Sequence, residues 1–251
     1  MTLSYDQSVV DLDVFSLAER PDLVTGFWSV PGDWPAFMLQ SPVSARCYDR
    51  AVELFPDLHL VVLQGQDVVA RLHAVPIVWP GPADLSLRGW DWALESSTDT
   101  PTSDRSAVSL IEARVAVSHR GRGLSAVLLR AARDKFHQLG TRDLVGPVRP
   151  NGKTREPRTP VASYAARARP DGLPSDPWLR VHARLGGRRL HTAPLSMTIP
   201  GTLAQWREWT GMAFDADGPV DVEGGLVPVL VNTQQDYAVY IEPNVWVHHV
   251  L

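Results

Sequence analysis

The chain has 251 residues, 44% hydrophobic and 21% charged, a globular composition long enough to bury a sizeable core. Its net charge of −4 argues against a general nucleic-acid binder, whose affinity comes largely from neutralising phosphates. The single cysteine, Cys47, rules out an intrachain disulfide and a Cys-rich zinc site, and neither a membrane-length apolar run nor a basic, apolar leader is present, so a soluble cytoplasmic protein is expected.

Charge is spread unevenly. Residues 1–60 carry nine acids against three arginines, whereas 149–169 carry six basic residues and one acid. A basic stretch in an acidic protein suits a small polyanionic ligand.

In chain order, residues 1–57 read as helical pieces broken at Pro21, Pro31, Pro35 and Pro42, with the best helix near 44–55. Two β-branched runs, 58–64 and 67–79, flank Gly65-Gln66 and predict a hairpin. Residues 80–105 read as a loop holding an aromatic knot, Gly89-Trp-Asp-Trp-Ala93. Residues 107–117 alternate as a strand, 118–123 form a short basic turn, and 124–139 carry apolar residues at helical spacing up to Gly140. A strand over 142–148 completes a strand–loop–helix–strand unit, which commonly seats an anion at the helix N-terminus. A polar segment, 149–175, precedes a short helix at 177–185, a strand at 188–199, a helix at 203–209 and two or three β-rich stretches in 226–250. Hairpin, strand–helix–strand and later strands together predict a mixed α/β sheet.

The turn Arg120-Gly-Arg-Gly-Leu-Ser125 combines glycines, which let backbone approach a ligand, with two arginines and the positive end of a helix. It suits a pyrophosphate, although it matches neither a P-loop nor Gly-x-Gly-x-x-Gly. In Val115-Ala-Val-Ser-His-Arg-Gly-Arg-Gly-Leu-Ser125 the chain resembles the acyl-coenzyme A signature of the GNAT N-acetyltransferases, Arg/Gln-x-x-Gly-x-Gly/Ala; Arg120 and Gly123 match, and Ser125 stands in place of the last small residue. Asp176-Pro-Trp-Leu-Arg-Val-His-Ala-Arg-Leu-Gly-Gly187 is similar to that family's later helix, which ends in Leu-Tyr-x-x-Leu-Gly-Phe. The two segments span a core of about 58–199, leaving 1–57 as a helical N-terminal extension and 200–251 as a β-rich C-terminal one, all in one GNAT-like domain.

The resemblance implies that acetyl-CoA lies between two splayed parallel strands. Its pantetheine would contact Val115, Ala116 and Val117, and its pyrophosphate Arg120, Gly121, Arg122, Gly123, Leu124 and Ser125. A small-molecule amine would attack the thioester directly, without metal or covalent intermediate. Asn151 is a further candidate for the pantetheine. The family's usual acid is a tyrosine, and His182 occupies its place, where an imidazolium could protonate a thiolate; Tyr164 is the rival acid. Glu112 is the candidate base, the alternative being a surface pair with Arg114. Trp90, Asp91 and Trp92 are candidates for the acceptor site, with Asp91 raised by apolar company. The 149–175 segment is expected to act as a lid or acceptor-specificity element. His248 and His249 point to opposite faces of a strand, so no metal is assigned. No nucleic acid or membrane partner is expected, and a homodimer stays open. A longer acyl-CoA, a carrier-protein thioester, or a catalytically silent acyl-CoA sensor are the alternatives.

Overall fold

The computed structural model describes residues 3–4, 12–99 and 104–251. Its elements are, in order, β1 (Leu3–Ser4), β2 (Leu12–Ser16), α1 (Val24–Ser29), α2 (Pro42–Leu54), β3 (Leu60–Gln64), β4 (Asp67–Ile77), α3 (Gly89–Thr98), β5 (Ala107–Val115), α4 (Leu124–Gln138), β6 (Asp143–Val148), α5 (Val161–Ala165), α6 (Pro177–Arg184), β7 (Arg188–Gly201), α7 (Leu203–Thr210), β8 (Gly218–Val220), β9 (Val229–Asn232) and β10 (Tyr237–Val250). They build one mixed sheet ordered β1-β2-β3-β4-β5-β6-β10-β9-β8, with β7 also paired to β10. Within it β5 and β6 run parallel and the other described pairs are antiparallel. No described helix is long and apolar enough to cross a membrane.

The predicted hairpin forms as β3–β4, with Gln64 opposite Asp67 and Gly65 at φ +63°, a left-handed value that glycine adopts without steric cost. Two predicted features differ. The N-terminal extension is not wholly helical: β2 pairs along β3, burying alternate residues Leu12, Val14 and Ser16. The aromatic knot is not a loop but the first turn of α3, whose Trp90, Ala93, Leu94 and Ser97 fall inward at helical spacing. The C-terminal β10 lies within the sheet rather than at its rim: its last residues pair with β6 along one edge and with β7 along the other.

Two apolar layers enclose the sheet. On one face α4 packs Leu124, Val127, Leu128, Ala131 and Phe136 against Leu72, Val108, Leu110 and Leu144. On the other, α2, α3 and α7 bring Cys47, Ala51, Leu94 and Trp206 against Ala107, Ile111, Ile199 and Trp246. At about 25 cal/mol per Å² of apolar surface removed from water, these layers supply the main stabilisation.

Strand β5 changes phase midway. His73 of β4 opposes Glu112 and Ala74 opposes Leu110, so Ile111 has no partner and forms a β-bulge. Before it, Val108 and Leu110 face α4. After it, Ala113 and Val115 face α4, and Glu112 and Arg114 turn to the α2 side with Ile111. The Trp90 indole N–H caps the bulged carbonyl of Ile111 at 3.0 Å. Parallel pairing to β6 covers only Ala107–Ser109 against Asp143–Val145; beyond it the two strands separate. Pro147, in the separated part of β6, has no N–H to offer a ladder.

Asp91 illustrates the cost of this packing. It is 2% exposed; Oδ2 accepts the Thr198 N–H at 3.0 Å, and Oδ1 has no partner. Burial pushes its carboxyl up to about 7. A raised carboxyl keeps its proton when folded while the unfolded chain ionises, so stability falls as pH climbs from about 4 to about 7. Asp91→Asn is expected to raise the melting temperature at pH 8, by up to about 4 kcal/mol in free energy, and to give no gain near pH 4. An equal effect at both pH values would show that Asp91 is ionised in the fold.

Candidate active site

The separation of β5 from β6 opens a cleft of about 440 Å³ that reaches both faces of the sheet. On the α4 side it is lined by Ser125 and Leu129 of α4, Leu110, Asn151, and Trp178 and His182 of α6. On the other side it is lined by Trp28, Trp34, Met38, Tyr48, Trp90 and Met197. Gly146, Pro147 and Val148 form the β6 wall, and Ile111, Glu112, Ala113 and Arg114 the β5 wall. Size and apolar lining suit a small-molecule site.

Two buried carboxylates hold the polar part of the wall, each neutralised by arginine. Glu112 accepts from Arg71 Nε at 2.9 Å, Arg114 Nη2 at 2.6 Å, the Tyr48 hydroxyl at 2.8 Å and Trp34 Nε1 at 3.0 Å. Burial alone would raise its carboxyl, but Arg71 and Arg114, with the bonds from Tyr48 and Trp34, hold it below the ordinary range. Glu242 of β10 accepts from Arg149 Nε at 3.0 Å, the Tyr240 hydroxyl at 2.7 Å and Asn244 Nδ2 at 3.2 Å. Trp34 joins the two clusters: it donates to Glu112, and the Arg149 guanidinium lies 5.2 Å from its ring centre.

His182 is 1% exposed. Its Nδ1 meets Nε2 of His249 at 2.9 Å, the Trp178 ring stands edge-on at 4.4 Å, and its Nε2 has no protein partner. Burial, then His249, lowers its pKa to about 3. These surroundings favour the neutral imidazole over the imidazolium, because nothing around the ring compensates the desolvation of a charge.

The other expected residues divide. Glu112, Ser125, Asn151, Trp90 and His182 share the cleft. Asp91 turns to β7 and Trp92 packs edge-on against Trp246, so of the aromatic knot only Trp90 reaches the wall. Tyr164 lies behind the site, its hydroxyl on Asp176 Oδ2 at 3.3 Å, and burial and Asp176 push it up to about 12; it is a support for α6 rather than an acid at the cleft. Val115, Ala116 and Val117 lie beyond the cleft, and Ala116 already spends its N–H on Val69 and its carbonyl on His119.

The basic turn stands at the α4 end of the cleft. Gly121 and Gly123 have φ of +77° and +79°, and Gly123 begins α4 without a side-chain cap, leaving first-turn N–H groups for a ligand. Arg120 pairs with Asp33 at 2.6 Å, Arg122 is exposed, and Leu124 is buried in the core. The 149–175 segment is tied down rather than free. Lys153, fully buried, donates to the carbonyls of Glu156, Pro157 and Leu226. Its arginines are largely matched by acids: Arg158 by Asp221, Arg167 by Glu156, Arg169 by Asp171. His248 bonds Asp143 at 2.7 Å, facing away from His249.

Sequence reasoning missed Trp34, Tyr48, Arg71, Glu242 and His249. Arg71 alone left a trace, as a charge inside the apolar run Val68-Val-Ala-Arg-Leu-His-Ala-Val75.

A strand pair splayed beside a glycine-rich helix start, with an aromatic-lined cleft between the strands, fits an acyltransferase fold. No protein-family model matches the chain. It is 31% identical over 266 aligned residues to "Arginine N-acetyltransferase avaD" of Aspergillus versicolor, covering 92% of this chain and 91% of that one. In fold it is similar to the loading GNATL domain of CurA from Lyngbya majuscula (TM-score 0.61, 14% identity, 95% and 97% of the two chains). It is also similar to the GphF GNAT-like decarboxylase in complex with isobutyryl-CoA (TM-score 0.59, 17% identity, 94% and 98%). The chain belongs to the GNAT N-acetyltransferase family and is an acyltransferase that acts on an amine.

Glu112→Gln leaves two guanidiniums around a neutral amide and is expected to cost about 3–5 kcal/mol in chemical denaturation at pH 7. Since the folded carboxyl is depressed, its contribution is present above about pH 4.5 and lost as pH falls through the folded value. The gap between variant and wild type should therefore narrow in acid. Equal stability at pH 7 would contradict a desolvated Arg71–Glu112–Arg114 cluster.

Proposed function

We propose that this acyltransferase moves an acetyl group from acetyl-CoA to an amine of a small, cationic molecule of the arginine class. The observation that supports the reading is a cleft through the sheet lined from both faces: a donor entering beside α4 and an acceptor entering beside α2 would meet between β5 and β6. Bound there, acetyl-CoA supplies the activated acetyl thioester.

The residues present fit such a donor. The facing edges of β5 and β6 lack ladder pairing past Ser109 and Val145 and suit a pantetheine arm, from Leu110 to Arg114 rather than from Val115 to Val117. Ser125 and the free N–H groups of the first turn of α4, flanked by Arg120 and Arg122, suit the pyrophosphate. On the acceptor side, Trp28, Trp34, Tyr48 and Trp90 line the cleft and give it an aromatic wall, and the name of the curated relative points to arginine. Glu112, already held by four donors, orients Trp34 and Tyr48 and is a poor proton acceptor. His182, neutral and with Nε2 free, is the polar group best placed to hydrogen-bond the reacting atoms. Acid partners on the arginines of 149–169 favour a free acyl-CoA over an acidic carrier protein.

Thiol release measured with acetyl-CoA across an amine panel tests the activity: turnover with arginine or agmatine is expected, and no turnover with any amine would contradict it. Calorimetry with CoA tests the donor site. Gly123 is a poor probe because its φ of +79° strains any side chain. Ser125→Glu places a carboxylate where the phosphates would rest and is expected to weaken CoA binding at least about tenfold, or about 1.4 kcal/mol; unchanged affinity would remove the assignment.

A further inference from the structure

The cleft contains one polar side chain that is almost wholly buried and unmatched, and a second residue determines how it stands. His182 occupies the last turn of α6, and His249 the end of β10, opposite Leu144 of β6. Strand alternation sends His248 to Asp143 and His249 to His182. The space for this meeting is built into the backbone: a Cβ on Gly187 would fall 2.6 Å from the His249 ring and 2.8 Å from the His182 carbonyl, so a larger residue there would displace the pair.

We propose that His249 is a positioning residue of the acyl-transfer site, fixing the ring plane and tautomer of His182 so that Nε2 of His182 faces the reacting atoms. The proposal rests on the location of the reaction given under Proposed function. A contact between two neutral imidazoles needs one N–H and one bare nitrogen. Whichever ring supplies the proton, the bond at Nδ1 of His182 determines whether its Nε2 is a donor or an acceptor. Trp178, edge-on at 4.4 Å, closes the other side, so His182 cannot turn its nitrogens away without losing both contacts.

The charged and titratable groups around the pair agree with a neutral state. Burial, followed by the Arg133 guanidinium of α4, lowers His249 to about 4, and Arg133 is itself anchored on the Leu185 carbonyl at the end of α6. His248 stands on the opposite face with Asp143, while Glu112 and Glu242 of the same cleft are matched by arginines. A neutral imidazole of this kind donates to, or accepts from, a reacting group without first being charged. His249 reaches the reaction only through His182.

Nitrogen-15 NMR of histidine side chains in the free protein, combined with steady-state kinetics, tests this. For the wild type, His182 is expected to show one neutral tautomer that does not titrate between pH 5 and 9. His249→Phe should convert that signal to a tautomer mixture. It should also lower kcat at least about tenfold while KM for acetyl-CoA changes less than about twofold. His249→Gln, which can return an amide to the same point, should recover the single tautomer and most of kcat. A His182 that titrates near its ordinary value in the wild type, or a His249→Phe protein with unchanged tautomer and kcat, would overturn the proposal. Where Phe prevents folding, a titrating wild-type His182 still overturns the proposal, and so does a His249→Gln protein with a tautomer mixture and kcat lowered at least about tenfold. Absence of acetyl transfer by the wild type with the NMR result intact would instead count against the proposed function.

Discussion

Ile111 sits in β5 with no residue opposite it in β4, and that single extra residue determines what the cleft contains. Had the alternation of β5 continued unbroken, Glu112 and Arg114 would follow Leu110 under α4, among apolar side chains. The bulge turns them to the α2 face, where Arg71, Tyr48 and Trp34 meet them. It also bends β5 at the point where pairing with β6 ends. The Trp90 bond to the Ile111 carbonyl makes the bulge tolerable, because a buried carbonyl without a donor costs about as much as a lost hydrogen bond. One bulge thus couples the opening of the sheet to the composition of the cleft wall on the α2 side.

The electrostatics of the cleft follow a consistent rule: charges that are buried are matched, and groups that are not matched are neutral. Glu112 and Glu242 are covered by Arg71, Arg114 and Arg149, and two of those guanidiniums lie over the Trp28 and Trp34 rings of the wall. His182 and His249, with no acid against them, stay uncharged. Desolvation explains both cases, since an isolated charge in this space would cost several kcal/mol. The proposed chemistry then depends on geometry and hydrogen bonding more than on a strongly shifted acid or base, as the proposed direct attack between two molecules held side by side requires.

The parts of the fold legible in the sequence were those governed by local period and turn chemistry. The β3–β4 hairpin is announced by Gly65-Gln66, α4 by its apolar spacing and Gly140, and α6 by the likeness of 176–187 to the family's later helix; in the fold the Asp176 carboxylate caps the N–H groups of Trp178 and Leu179. The resemblance of 115–125 to the acyl-CoA signature points to the turn that opens α4, beside the place where β5 and β6 separate. Long-range placement was not legible. The two tryptophans around Asp91 look like a loop knot until α2 and β7 supply the surface that makes them a helix face. His182 is the expected acid and Tyr164 its rival in the sequence; the fold sets Tyr164 against Asp176 and His182 on the cleft. His249 is invisible as a partner of His182 because 67 residues separate them and only the pairing of β10 beside β6 brings them together.

The central claim is that the gap between β5 and β6 receives an acyl-CoA. Its most direct test is a crystal structure of the protein with coenzyme A. The account predicts continuous density for the pantetheine between Leu110–Arg114 and Gly146–Val148, phosphates at the turn before Ser125, and the sulfur facing His182. Coenzyme density outside that gap, or β5 and β6 zipped together past Ser109 and Val145, would contradict it.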